Sequence, residues 1–188
     1  MIKKIIVICI LLIVILLFVR PKYKLGMIPE NTKMEKIICK QLEKNELTEE
    51  DLLNVNRLFV NAKYGRVKTL VGIERLKNLN TLIIYPGKIK SLKPITNLTK
   101  LTGIGIARQN KLTDLQLIGQ INTLTYISLR DMPNIDISFL ENLRNLNYIS
   151  ISDCGIISID CLKDLNPEKV YLWDNNIESL PDLSNWTR

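Results

Sequence analysis

LKNLNTLIIYPGKIKSLKPITNLTKL, residues Leu76 to Leu101, decides the fold. Its apolar positions hold neither a helical nor a strand period for long. Leu79, Leu82, Ile84, Ile89, Leu92, Ile95, Leu98 and Leu101 fall at offsets 0, 3, 5, 10, 13, 16, 19 and 22, and offset 22 restarts the pattern. This is one coil of a solenoid. A single such coil cannot bury its own apolar face, so it has to stack on copies of itself.

The copies are present on both sides. Coils start at Val55, Leu79, Leu101, Leu124, Leu146 and Pro167, with spacings of 24, 22, 23, 22 and 21 residues. Offsets 3 and 5 are Leu58/Val60, Leu82/Ile84, Ile104/Ile106, Ile127/Leu129, Ile149/Ile151 and Val170/Leu172, all apolar, as short parallel strands with buried alternate side chains require. A merely Leu-rich globular domain would not keep this register six times. A repeat of about 20–29 residues reading L-x-x-L-x-L-x-x-N/C-x-L is the leucine-rich-repeat signature. The expected fold class is therefore α/β, with a solenoid over 55–188 behind a helical cap at 30–54 and an N-terminal segment at 1–29.

That segment carries an unbroken apolar run from Ile5 to Val19 behind Lys3 and Lys4, followed by Arg20, Lys22 and Lys24. Fifteen helical residues reach about 22 Å, short of an apolar bilayer core of about 30 Å. Yet Arg20-Pro21-Lys22-Tyr23-Lys24 offers no small-x-small cleavage site, and Lys4 and Arg20 can extend the reach by snorkelling. The expectation is an uncleaved single-pass anchor contacting the membrane through residues 2–24, with the repeats outside the cytoplasm. Secretion after cleavage is the alternative.

The formal charge of +7 over 188 residues suggests nucleic acid at first sight, but residues 1–29 hold five of the basic side chains and no acid. Without them the balance is 21 − 19, or +2, so nucleic acid is not expected. Within the remainder, residues 63–111 carry eleven Lys or Arg against the single acid Glu74, while 112–188 carry five basic against eleven acidic residues. Lys88, Lys90, Lys93 and Lys111 fall at loop or convex offsets. They read as a solvated face or as a surface for anionic headgroups or wall polymers.

Thr32-x-x-Glu35 and Thr48-x-x-Asp51 each look like a capping box opening a short helix. ICKQLEKNELTEEDLLNVNRL followed by VKTLVGIERLKNLNTLIIY resembles the helical cap and first repeats of the internalin-type leucine-rich-repeat proteins of bacterial surfaces, over about residues 32–186. The resemblance implies a right-handed solenoid, a parallel sheet on the concave side, 3₁₀ turns on the convex side and protein recognition by the concave face. Internalin-like coils place a buried Asn in a ladder across their loops. Here that site reads Asn110, Cys154 and Asn175, but Gly65, Gly87 and Pro133 in the other coils.

Catalysis is poorly supported, because the chain has no histidine and hence neither the usual general base nor a Ser-His or Cys-His pair. Cys9, Cys39, Cys154 and Cys161 show no C-x-x-C spacing, so no metal or cofactor is expected. What remains is the concave surface at offsets 2, 4, 6 and 7 of each coil. There Tyr85, Tyr126, Tyr148, Tyr171 and Trp173 coincide with Arg108 and Arg130 and with a column of Asp131, Asp153 and Asp174. Exposed Tyr, Trp and Arg are the side chains enriched at interface hot spots. Tyr126 and Tyr148 share an offset in neighbouring strands and are expected to stack. The three like charges need compensation from Arg108 and Arg130 or from a bound cation or basic ligand. Gly103, Gly105 and Ala107 are expected to leave a shallow depression.

The sequence thus reads as a non-catalytic module displayed at a bacterial surface and binding a protein through these ten residues. The rival reading is a structural envelope component that touches anionic lipid or wall polymer and self-associates through its last coil. An enzyme built on Asp131 and Asp153 is the weakest alternative.

Overall fold

Six short parallel strands hold the register that the coil spacing implies. The computed structural model describes residues 33–61, 63 and 67–187. Strands β1 (Arg57–Val60), β2 (Thr81–Ile84), β3 (Gly103–Ala107), β4 (Tyr126–Arg130), β5 (Tyr148–Ser152) and β6 (Lys169–Tyr171) lie in one open sheet in chain order. Leu58 pairs with Leu82, Leu82 with Ile104, Ile104 with Ile127, Ile127 with Ile149 and Ile149 with Val170. Each pair differs by one coil, so identical offsets stack and a single apolar row runs the length of the sheet, buried from β1 to β5 and half-buried at Val170. A slip of one residue would turn every one of these side chains out to solvent.

The chain returns on the other side through 3₁₀ turns at Ile73–Arg75, Lys93–Ile95, Leu115–Gln120, Ser138–Asn142 and Asp160–Leu162. Each drives apolar side chains inward, namely Ile73, Ile95, Ile118, Phe139 with Leu140, and Leu162, onto the strand row. Burying one such side chain is worth roughly 1.5–3 kcal/mol. Polar side chains tie the corners between coils. Asn78 Nδ2 donates to Leu53 O at 2.8 Å and Asn145 Nδ2 to Asn122 O at 2.8 Å, one coil back in each case.

At the start of the solenoid, helix α1 (Lys33–Leu42) buries Met34, Ile37 and Ile38 at helical spacing. Thr32, the cap expected for it, lies outside the described residues. Helix α2 (Glu49–Asn54) has the capping box read from Thr48 and Asp51: Asp51 N donates to Thr48 Oγ1 at 3.1 Å and Thr48 N to Asp51 Oδ2 at 2.8 Å. Asp51 also pairs with Lys44, and these donors hold its carboxyl down at about 2. From α1, the Gln41 amide donates to Arg57 O at 2.7 Å and accepts from Phe59 N at 3.0 Å. One side chain thus occupies the outer edge of β1 as a neighbouring strand would. At the far end Trp186 folds against the coils, its indole N–H donating to Leu162 O at 3.3 Å.

The anchor expected over Ile5–Val19 and the membrane contact through residues 2–24 lie outside the described residues. Among the described residues no helix is long and apolar enough to cross a membrane. The longest α-helix among the described residues, α1, has 10 residues, about 15 Å of rise against the 30 Å or so a bilayer core demands. The placement in a cell membrane by a single-pass anchor is corrected accordingly.

Candidate functional site

The sheet's outward row is where the sequence placed its candidate residues, and strand alternation puts them there: with offsets 3 and 5 buried, offsets 2, 4 and 6 face away from the core. The register pairs Tyr126 with Tyr148, and Tyr148 with Lys169. The Tyr126 and Tyr148 rings stack with centroids 4.8 Å apart and planes 20° apart. Tyr171 continues the run at 5.4 Å from Tyr148, and Trp173 lies 5.0 Å from Tyr171. Four rings from three adjacent coils form one continuous aromatic surface that ends on Trp173, 64% exposed. Burial between its two neighbours pushes the Tyr148 phenol above its ordinary value.

The column after the strands has a backbone cause that the charge pattern alone did not reveal. Arg108, Asp131, Asp153 and Asp174 all have φ between 52° and 54°, the left-handed region. Asp tolerates that conformation better than most side chains, so three aspartates recur where the chain leaves the strand. The ladder carries on through the bend: Arg108 N donates to Arg130 O, Asp131 N to Ser152 O and Asp153 N to Trp173 O, at 3.1–3.2 Å. Like charges in this column are therefore a consequence of the turn, and they are compensated at one end. Arg108 Nε donates to Asp131 Oδ2 at 2.9 Å, and Arg130 Nε lies 3.9 Å from the same oxygen. The hydrogen bond to Asp131 raises the Arg108 guanidinium, which Tyr85 and Asp153 also reach electrostatically. Asp153 and Asp174 have no ion-pair partner among the described residues.

Nine of the ten candidate residues thus fall into two joined groups, the aromatic run and the Arg–Asp column. Tyr85 stands apart from the aromatic run, on the far side of β3 and 41% exposed. Between them the expected depression is filled. Every residue of β3 is buried, and the Ile83 side chain lies over Gly105, where a Cβ would meet its δ1 methyl at 2.8 Å. Phe59 and Ile83, at offset 4 of their coils and outward by strand alternation, extend the apolar part of the surface beyond the ten candidate residues.

The polar ladder also differs from its expected place. In the third coil the buried residue is Gln109, 4% exposed, and Asn110 is exposed. Gln109 Oε1 accepts from Ile89 N at 3.1 Å, and its Nε2 donates to Ala107 O at 3.1 Å. The longer side chain reaches into the space that Gly87 leaves one coil earlier. In the fourth coil Met132 is the buried residue and Pro133 is exposed. Further on, Asn175 behaves as the pattern implies: Oδ1 accepts from Cys154 N at 3.1 Å, and Nδ2 donates to Ile151 O at 2.8 Å. A strict 22-residue step from Gly87 would have found Gln109.

Among the described residues no cluster of three or more His, Cys, Asp or Glu could hold a metal ion. Burial pushes the Cys161 thiol up to about 11 and raises that of Cys154, opposite to the shift a reactive thiolate needs.

No protein-family model matches the sequence, and neither does any of the curated proteins. Solved structures do match. An internalin from Listeria monocytogenes superposes with a TM-score of 0.58 at 23% identity, over 81% of this chain and 52% of that one. The fold is internalin-like. A second internalin of that organism gives 0.55 at 20% identity over 81% of this chain and 76% of its own length. A leucine-rich-repeat protein of Leptospira interrogans gives 0.57 at 25% identity over 71% and 35%. The chain spans about half the length of the first internalin and about three quarters of the second. The internalin-like solenoid accounts for the parallel sheet, the 3₁₀ returns and the left-handed exits after β3 to β6 as one repeated unit.

Proposed function

We propose that this chain is a non-catalytic protein-interaction module that holds its partner on the concave face, over Tyr126, Tyr148, Tyr171 and Trp173. The observation that carries the reading is the continuous aromatic run, ring to ring at 4.8, 5.4 and 5.0 Å, left half-covered or open to solvent. Rigid aromatic side chains on a rigid sheet lose little entropy when a partner covers them, which is why Tyr and Trp anchor protein interfaces. Arg108, Arg130 and Asp131 supply a polar rim on one side, Asp153 and Asp174 open carboxylates on the same rim, and Tyr85 a separate aromatic contact. The likeness to internalins points the same way.

Site-directed photocrosslinking tests this. A benzophenone amino acid is placed at Trp173 or Ser150 on the concave face, and at Lys163 or Ile157 on the opposite side, and the chain is irradiated in the organism that encodes it. The expected result is one discrete adduct with another protein from the concave positions, lost on Tyr148→Ala and absent from the convex ones. No adduct from the concave positions, or the same adducts from both sides, overturns the reading. Adducts only between two copies of the chain overturn it in favour of self-association.

A further inference from the structure

Five lysines of the first three coils lie outside the ten candidate residues of the concave face. Lys68, Lys88, Lys90, Lys93 and Lys111 are all exposed, and none forms an ion pair among the described residues. Two carboxylates of the same coils accept hydrogen bonds from neutral groups. Glu74 Oε2 accepts from Gly72 N at 2.8 Å. Asp114 accepts from Ser91 Oγ at 2.5 Å and from Leu92 N at 3.0 Å. Both acids keep their charge in these bonds to neutral donors, but neither forms an ion pair with a lysine among the described residues, and the five lysines outnumber them.

Three of these lysines border one groove. Lys68, Lys90 and Lys93 line an open channel of about 560 Å³ against the single acid Glu74, and its wall includes the apolar Val71 and Pro94 beside Ser91, Thr69 and Asn97. Val71, 51% exposed, belongs to the first coil and Pro94 to the second, so the channel crosses the seam between them. Backbone bonds fix the seam: Lys88 N donates to Val67 O at 3.2 Å. Lys93 opens the 3₁₀ turn Lys93–Ile95 with its N–H on Ser91 Oγ at 3.1 Å.

We infer that this groove docks a linear phosphate-bearing polymer without bases. Ammonium groups bind phosphate as point charges and suit a chain of repeated anions. The apolar strip of Val71 and Pro94 suits the carbon backbone between phosphates. A nucleic acid fits worse, because no aromatic side chain lines the channel to stack a base. A groove also holds a chain in preference to a flat membrane surface. The inference does not rest on the concave-face reading, and either can fail alone.

The probe is long-chain inorganic polyphosphate, titrated against the full chain by calorimetry at 50 to 200 mM salt. The groove variant is Lys68→Gln/Lys90→Gln/Lys93→Gln. The control removes the same charge elsewhere, as Lys36→Gln/Lys40→Gln/Lys163→Gln, at exposed positions on α1 and beyond β5. Binding is expected to weaken roughly tenfold or more in the groove variant, with the slope of log affinity against log salt reduced by about two, near 0.7 per phosphate contact. The control is expected to stay within about twofold of the parent chain. Equal loss in both variants would reduce the effect to net charge and overturn the inference. So would absence of binding at 50 mM salt, equal affinity for single-stranded DNA, or binding confined to vesicles of anionic phospholipid.

Discussion

Replacing Gln109 by Met asks how neighbouring coils are locked together. The Gln109 side chain is almost wholly buried and bridges two coils, accepting from Ile89 N at 3.1 Å and donating to Ala107 O at 3.1 Å. Met has nearly the same length and volume, so packing over Gly87 changes little. What disappears is both hydrogen bonds, and the Ile89 N–H is left inside the protein with no acceptor. An unsatisfied buried donor costs about 1–3 kcal/mol. A loss of about 2 kcal/mol is expected, lowering Tm by roughly 4–8 °C for a chain of this size.

Urea unfolding followed by circular dichroism reads the effect, and a second substitution shows that it comes from this contact. A Cβ on Gly87 would sit 3.3 Å from both Nε2 and Oε1 of Gln109. Gly87→Ala should therefore cost stability in the parent chain and cost little in a Gln109→Ala background, where the space is open. The double-mutant cycle should return a coupling of about 0.5–1 kcal/mol. Gln109→Met within about 0.5 kcal/mol of the parent, or an additive cycle, would refute the argument that this amide bridges the coils.

Tyr148→Ala removes the ring packed between Tyr126 and Tyr171 and should cost about 1–2 kcal/mol, whereas Trp173→Ala, at an exposed ring, should stay within about 0.5 kcal/mol in the same urea titration. Gly119→Ala should destabilise by about 1–3 kcal/mol, because its Cβ would press on Phe139 O at 3.0 Å. Gly105→Ala should cost under about 1 kcal/mol, since only the free end of Ile83 has to move; differential calorimetry that ranks them the other way contradicts the geometry. Asp51 is lowered from 3.8 to about 2 in the folded chain. Its contribution is therefore complete above about pH 4 and lost as pH falls toward 2, and an unchanged acid limb of the stability curve in Asp51→Asn would show that another group sets it.

The parts of this fold that were legible in the sequence are those fixed by burial. Leu58, Leu82, Ile104, Ile127 and Ile149 had to be apolar, and counting their intervals gave the sheet register directly. The ladder was legible only in outline, since a Gln one position earlier can do the work of the expected Asn when a glycine leaves it room. The Asp column was visible as charge, but its cause was a left-handed backbone angle, which no count of charges reveals. The depression over β3 was misread because a side chain from the neighbouring strand, Ile83, can lean across a glycine. The anchor rests on residues outside those the structure describes, and the described helices contain no membrane-spanning element.

The same division between constrained and free positions bears on function. Offsets 3 and 5 are dictated by the core, and the left-handed exit constrains offset 7 in the last four coils. Offsets 2, 4 and 6 are dictated by neither, as Gly103, Thr81, Ser128 and Ser152 show by occupying them without loss of register. A solvated sheet of Thr and Ser would fold equally well and expose less apolar surface. The aromatic choice at Tyr126, Tyr148 and Tyr171 is partly repaid by ring packing, at about 0.5–1.5 kcal/mol per pair. Trp173 is repaid by one such pair, with Tyr171, yet it keeps most of its surface in water and sits at a strand exit outside the left-handed column. Under the reading proposed above this ring is covered when a partner binds, so the fate of Trp173 on partner binding is the most direct test of that reading.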